Sequence, residues 1–110
     1  MGKRKKKAPI PPLMTLKVGP KRYEVYAAES LVNAGEQPLA GQCNSYTGHI
    51  YVDHEIFPSS QRSTLFHEAI HAVDHVYRVG ISEEQVGLLE IGMLSLIDDN
   101  PQLLAFEGVQ

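Results

Sequence analysis

Two histidines and a glutamate stand in this sequence at a spacing that suits metal chemistry. His67, Glu68 and His71 form the pattern His-Glu-x-x-His inside a stretch whose apolar residues recur with a helical period. Residues four apart on a helix lie on one face, one turn from each other, so both imidazoles can bind one Zn²⁺ ion. The glutamate then lies beside the ion, where its carboxylate can activate a water molecule. The spacing therefore predicts a zinc site with His67 and His71 as ligands and Glu68 as the catalytic base.

The helix that carries this motif is predicted to run from about residue 60 to residue 78. A serine near its start can accept from an unpaired amide, and Gly80 suits the position just after its end. On a helical wheel, four apolar residues beside the motif form a face that we expect to be buried: Phe66, Ile70, Val73 and Tyr77. The two histidines then lie at the border of that face, as a metal in a cleft requires. The alternative is a surface helix whose polar side spells the pattern by chance.

A third ligand is expected on the next helix, since catalytic zinc usually has three protein ligands and one open position. That helix is predicted over about residues 83–98, with Ser82 and Gln85 forming a capping box at its start. Glu83 and Glu90 both lie at the edge of its apolar stripe, where a carboxylate is costly unless it is paired or bound to metal. Glu83 also suits the helix dipole, which is an alternative reason for its position. The residues alone leave Glu83 and Glu90 both open.

Other polar side chains near the motif have weaker claims to a role. His75 lies two turns, about 12 Å, along the helix from His67, so we expect it to be solvated or to support a ligand. Asp74 can either accept from a ligand imidazole or form an ion pair with Arg78 one turn further on. Five side chains are candidates for stabilising a developing oxyanion, and the sequence does not choose among them: Tyr46, Tyr51, Tyr77, His49 and His54.

The elements that must position these residues are strands that precede the two long helices. Alternating apolar residues predict strands over residues 13–18, 23–27, 39–43 and 49–53, the first two forming a hairpin. Residues 28–38 predict a loop with a helical turn near residues 29–33, and Pro101 can start a short last helix. The predicted fold class is α+β, a small antiparallel β-meander of three to four strands packed on two long helices, the first carrying His-Glu-x-x-His.

The composition places the chain among globular proteins. Its 110 residues are enough for one domain with a modest core, and 43% of them are apolar. No run of about eighteen apolar residues is present, so no membrane span is predicted. The single Cys43 excludes an internal disulfide and fits a reducing compartment, for which we predict the cytoplasm.

Charge is distributed unevenly along the chain. The net charge is −3, but five of the ten basic residues lie in Lys3–Lys7. From residue 8 onward, 5 basic residues stand against 13 acidic ones, which leaves −8. We therefore predict a flexible, basic and proline-rich arm over residues 1–12 and a folded domain over residues 13–110. The arm is either solvated or makes weak contact with nucleic acid or another acidic partner, whereas the acidic domain argues against duplex DNA binding by the fold itself.

Residues 39–101 resemble the small zincin-like metallopeptidases of phages and bacteria, which are gluzincin in type and lie near the ImmA/IrrE group. The resemblance rests on Gly41, on the strand over residues 49–53, on residues 62–75 around the motif and on Ser82-Glu-Glu-Gln-Val86. It implies a zinc fold in which the strand before the active helix borders the cleft. Glu90 departs from the family, because such proteins more often have a small residue at this place.

The resemblance also implies the functional residues. His67 and His71 would be zinc ligands, Glu68 the general base, and Glu83 the third, acidic ligand that opens the next helix. The implied activity is hydrolysis of a peptide bond in a protein or peptide substrate, which we expect to lie extended along the strand near residues 50–53. Such a protein would act in the bacterial cytoplasm if a phage encodes it. The alternative is a metal-stabilised accessory protein that binds a partner without catalysis.

Overall fold

The computed structural model describes residues 10–109, which form a four-stranded sheet, two long helices and one short helix. In chain order the elements are β1 (Met14–Val18), β2 (Lys21–Ala28), β3 (Gly41–Asn44), β4 (His49–Asp53), α1 (Pro58–Tyr77), α2 (Glu83–Asp99) and α3 (Gln102–Ala105). The predicted α+β class and the two long helices are confirmed, and α1 contains the residues of the His-Glu-x-x-His pattern. Most of the predicted basic arm, residues 1–9, lies outside the described residues.

The sheet is mixed, so the prediction of an antiparallel meander was wrong on this point. Its strand order is β1-β2-β4-β3, and β2 pairs with β4 in parallel, with Glu24 opposite His49 and Ala28 opposite Asp53. The other two pairings are antiparallel. Parallel neighbours need a crossover of about a dozen residues or more, and residues 29–48, which include β3, supply it. Apolar alternation predicts which face of a strand is buried, but it does not specify which strands are neighbours.

The connection between β2 and β3 is a loop without the helical turn predicted near residues 29–33. The side-chain oxygen of Asn33 accepts hydrogen bonds from the amides of Gly35 and Gln37, at 2.8 and 3.0 Å. An isolated bridge between Val32 and Pro38 closes the same loop. The asparagine side chain gives these amides a partner outside a helix, which is how this residue type competes with helical hydrogen bonding.

The core lies between the inner face of the sheet and α1. Its members alternate along the strands, as predicted for β4, and they are Val18, Tyr23, Val25, Ile50 and Val52, with Ala72 from α1. Tyr23, Val25 and Ile50 are fully buried. Because Ala72 has a small side chain, α1 can lie close to the sheet, and this closeness sets the distance between β3 and the motif.

The side of α1 that faces the sheet differs from the side that the helical wheel predicted. Of the four apolar residues expected to be buried, only Ile70 is, whereas Val73 and Tyr77 are 42% and 61% exposed. The side against the sheet carries Glu68 and Ala72 instead. The reason is that α1 has two neighbours, the sheet and α2, so its buried surface is divided between two directions. A single apolar arc on the wheel cannot represent both.

The sequence predicted the ends of the two long helices only in part. α1 begins with Pro58 in its first turn, and no side chain caps it, so the predicted serine cap is not formed. It ends at Tyr77, and the residue that follows, Arg78, has the left-handed φ of 53° that was expected for Gly80. α2 starts with the predicted capping box between Ser82 and Gln85, at 2.8 and 3.2 Å. None of the described helices is both long enough and apolar enough to cross a membrane.

Candidate metal centre

The two imidazoles of the motif converge on one carboxylate. The ring centroids of His67 and His71 are 5.1 Å apart. Each ring has its Nε2 atom 2.7 Å from a different oxygen of Glu83, so this carboxylate bridges both histidines. The candidate ligand atoms of the three residues all lie within 4.8 Å of one another. The structure therefore brings together the three residues that the resemblance implied as ligands.

Glu83 reaches the histidines because the chain between the two long helices is tightly held. The capping box places Glu83 at the first residue of α2. A carboxylate oxygen of Asp74 accepts from the amides of Gly80 and Ile81, at 2.7 and 3.3 Å, which ties the connecting loop to the last turn of α1. Asp74 was predicted to hold an imidazole or to pair with Arg78, but its side chain positions the loop instead. The only sign of this role in the sequence was an acid followed by a short loop that contains glycine.

Glu90 contacts the other nitrogen of the same ring. Its Oε1 atom lies 2.9 Å from Nδ1 of His67, while Glu83 contacts Nε2 of that ring. The two acids that the sequence left open therefore occupy different places. Among the described residues, only Glu83 joins both histidines into a group that could hold a metal ion.

Glu68 lies buried where α1 passes over β3. It is 8% exposed, and it is the one buried charged side chain of the described residues. Gly41 of β3 allows this close approach, because a Cβ atom there would lie 2.5 Å from Cγ2 of Thr64 and 3.2 Å from Cγ of Glu68. A side chain at position 41 would thus push the strand away from the candidate base.

The electrostatics of these groups follow from burial and from their mutual contacts. Burial raises the pKa of Glu68 above its ordinary value, although the charges of His67 and His71 act against this. Burial by itself would lower the pKa of His67, but hydrogen bonds to Glu90 and Glu83 outweigh it and raise the pKa. Partial desolvation acts to raise the pKa of Glu83, yet its hydrogen bonds and charge interactions with the histidines lower it. A carboxyl with a raised pKa is suited to accept and return a proton.

Two adjoining clefts open onto this group. The larger, of about 520 Å³, lies between β3, represented by Gly41 and Cys43, and the residues Glu68, His71 and Glu83. The smaller, of about 240 Å³, is bordered by His67, Glu68, Glu83 and Glu90. β4 lies between β2 and β3 and has no free edge, so a substrate cannot add to residues 50–53 as predicted. The strand with a free edge at the cleft is β3.

The oxyanion candidates from the sequence do not line either cleft. Tyr51 and His49 pack with Tyr26, on strand positions that alternate with the buried Ile50 and Val52. Tyr46 is 97% exposed. His75, which the sequence predicted to be solvated or supporting, is exposed and is one of the residues that line the larger cleft. Its position one turn beyond His71 on the same helix was the available signal.

Cys43 also lines the larger cleft, but its protonated thiol is not suited to bind a metal ion. The side chain is partly buried, and this burial raises the pKa of the thiol. A thiol that stays protonated is a poor metal ligand, because the thiolate is the form that binds. Cys43 is therefore a partly buried residue of the cleft wall that lies outside the ligand group.

The chemistry of the donor set fits zinc. Two imidazole nitrogens and one carboxylate oxygen form a donor set found in catalytic zinc sites, which leave a further position open. Glu83 contacts both Nε2 atoms, and the three candidate ligand atoms lie within 4.8 Å of one another. Glu68 adjoins the same cleft without joining the ligand group.

Comparison of the chain with protein-family models, with curated proteins and with solved structures gives no match. The likeness to zincin-like metallopeptidases therefore stays a prediction from the sequence.

Proposed function

We propose that the protein is a zinc-dependent metallopeptidase that hydrolyses a peptide bond. His67, His71 and Glu83 would hold the ion, and Glu68 would act as general base. The observation that carries the proposal is the convergence of both Nε2 atoms on the Glu83 carboxylate, at 2.7 Å each, beside a buried glutamate. A surface helix that spelled the motif by chance would have no reason to meet an acid from a second helix in this way.

The mechanism assigns proton transfer to Glu68. A bound Zn²⁺ supplies Lewis acidity, which polarises the scissile carbonyl and makes water more acidic. Glu68 takes a proton from the attacking water and later gives it to the nitrogen of the leaving amine. Burial, which raises the pKa of Glu68, brings its proton affinity closer to that needed near neutral pH. Gly41 lets β3 approach α1 closely enough to leave this side chain only 8% exposed.

The substrate would add as a strand to the free edge of β3. The carbonyl of Ala40 accepts from the amide of Asp53 at 2.8 Å, so the backbone of Ala40 and, by alternation, of Gln42 faces β4. The backbone groups of Gly41 and Cys43 then point to the free edge. Both residues line the larger cleft next to Glu68 and His71. An extended peptide paired with them would present its carbonyls to the metal centre.

The proposed setting is a reducing compartment, for which we infer the cytoplasm. The basis is the single, partly buried Cys43, which leaves the fold independent of disulfides. The substrate class is a protein or peptide segment that can become extended, because strand addition requires a chain free of its own secondary structure.

The test of this function is the substitution Glu68→Gln, which keeps the shape of the side chain and removes the base. We expect hydrolysis of unfolded protein and of a fluorogenic peptide library to fall by about 10²–10⁴-fold, the usual contribution of a general base. Zinc content should stay at the wild-type level, because Glu68 is not in the ligand group. Activity would be measured beside zinc analysis of the same samples.

A matched control is Glu84→Gln, which makes the same chemical change at an exposed position next to the site. It should hydrolyse the same peptides at the wild-type rate. Full activity of Glu68→Gln would refute the mechanism. Zinc binding without hydrolysis by the wild type would instead support a metal-stabilised binding protein.

A further inference from the structure

We propose that Glu90 is a positioning residue that holds His67 with its proton on Nδ1 and its Nε2 atom turned to Glu83 and His71. The inference rests on the metal-binding part of the proposed function, not on catalysis. It assigns a role to the acid that departs from the family resemblance and that the ligand group does not include.

The geometry separates the two acids of α2 by the ring nitrogen that each one contacts. Glu90 Oε1 lies 2.9 Å from Nδ1 of His67, and Glu83 Oε1 lies 2.7 Å from Nε2. The acids are seven residues apart, which is two helical turns, so both lie on one side of α2. The imidazole is therefore held at both nitrogens by one rigid element.

Burial indicates that the contact of Glu90 is a built feature of the helix interface. The side chains of His67 and Glu90 are 19% and 20% exposed, whereas Glu83 is 70% exposed. α2 packs against α1, and Glu90 lies one turn beyond the fully buried Val86. A carboxylate in such a place is costly unless a charged or strong hydrogen-bonding partner compensates it. The imidazole N–H of His67 is that partner.

The chemical consequence concerns which nitrogen of His67 is free to bind metal. A carboxylate on Nδ1 accepts the ring proton there, and the lone pair of a neutral ring is then on Nε2. Acceptors of this kind fix the tautomer and the orientation of metal-binding histidines. Without Glu90, the ring can also carry its proton on Nε2, the atom that has to bind the ion. Once the Nε2 proton is lost, Glu90 keeps the remaining ring proton on Nδ1, so that Nε2 is the atom left to bind the ion.

Zinc affinity provides the first test, measured by competition with a chelating indicator. We expect Glu90→Ala to weaken zinc binding by about 10–100-fold, the range found when such supporting residues are lost. Glu90→Gln should lose less than about tenfold, because its amide oxygen can still accept from Nδ1. Glu84→Ala removes an exposed acid from the same helix and should bind zinc like the wild type. Thermal unfolding of each variant would show that it is folded.

The second test needs no metal, so it separates this inference from the proposed function. In metal-free Glu83→Ala, Glu90 is the remaining acid on the ring of His67. Nitrogen-15 NMR, at a pH where this ring is neutral, should find the proton on Nδ1. In the double variant Glu83→Ala/Glu90→Ala the proton should move predominantly to Nε2, the form that free histidine prefers.

The outcomes discriminate between the two proposals. If the wild type binds no zinc, the proposed function fails, and the NMR comparison still decides the role of Glu90. If zinc affinity of the folded Glu90→Ala variant is within about twofold of that of Glu84→Ala, the positioning role is overturned. The same holds if the ring of His67 has the same tautomer with and without Glu90.

Discussion

Three ionisable side chains at the candidate metal centre have shifted pKa values, and these shifts decide how the metal-free protein responds to pH. The folded state raises the pKa of His67 above 6.5 and that of Glu68 above 4.5, and it lowers the pKa of Glu83 below 4.5. A raised histidine pKa means that folding favours the imidazolium. Its contribution to stability is fully present below 6.5 and is lost as the pH rises through the folded-state value. The contribution of Glu83 is present above 4.5 and is lost as the pH falls through its lowered value.

We therefore predict that the metal-free protein loses stability as the pH rises above 6.5, the ordinary value of histidine. Ionisation of Glu68 also destabilises the fold, as the pH rises from 4.5 through the raised folded-state pKa of this buried carboxyl. Thermal unfolding in the presence of a chelator would measure this, with His67→Gln as the control that should show a much smaller slope. A melting temperature that increases through this pH range would contradict the assignment. Bound zinc should reverse the trend, because the ion competes with protons for the two Nε2 atoms.

The sequence predicted the roles of those residues whose arrangement depends only on their spacing within one helix. The histidine pair and its glutamate follow from spacing within one helix, and the structure places them as this spacing requires. The choice between Glu83 and Glu90 did not follow, because it depends on how α2 lies against α1. The role of Asp74 was missed for a similar reason, since the amides of Gly80 and Ile81 come within its reach only after the chain turns.

At the scale of elements, the fit between β3 and α1 controls the surroundings of Glu68. We predict that Gly41→Ala destabilises the protein by about 1–3 kcal/mol, the usual cost of overpacking. The added methyl would meet Thr64 and the stem of Glu68. Urea unfolding would measure the loss, and hydrolysis should fall with it as Glu68 is displaced.

The control for this substitution is Gly92→Ala in the interior of α2. A Cβ atom there meets nothing within 4 Å, so the change should be neutral or stabilise by about 0.5–1 kcal/mol through helix propensity. Equal stability of the two variants would contradict the close packing of β3 on α1.

The elements themselves were largely predictable, and their arrangement was not. Periodicity placed both long helices and all four strands within about two residues of the observed bounds. The order of the strands could not be read, because the parallel pairing of β2 and β4 depends on a long crossover. Because β4 is an inner strand in this order, the strand to which the substrate is proposed to add is β3 and not β4. The buried side of α1 was also mispredicted, since the helix packs on two neighbours at once.

At the scale of the whole molecule, two features matter, which are the uneven distribution of charge along the chain and the candidate metal group between the two long helices. The acidic excess from residue 8 onward contrasts with the basic Lys3–Lys7 segment, which lies outside the described residues. Contact of this segment with nucleic acid or another acidic partner stays a prediction. The folded part has one modest core between the sheet and α1, while the metal group joins α1 to α2. Bound zinc should therefore stabilise the packing of α2 on the rest of the domain.

The most direct measurement is elemental analysis of the purified protein after equilibration with Zn²⁺ and removal of the excess. We expect about one zinc per chain for the wild type and for Glu84→Ala, since one site has three protein ligands. His71→Ala and Glu83→Ala should retain far less, because each removes a ligand from the group. A folded wild-type protein without zinc, or a His71→Ala variant with the full amount, would contradict a zinc site formed by His67, His71 and Glu83.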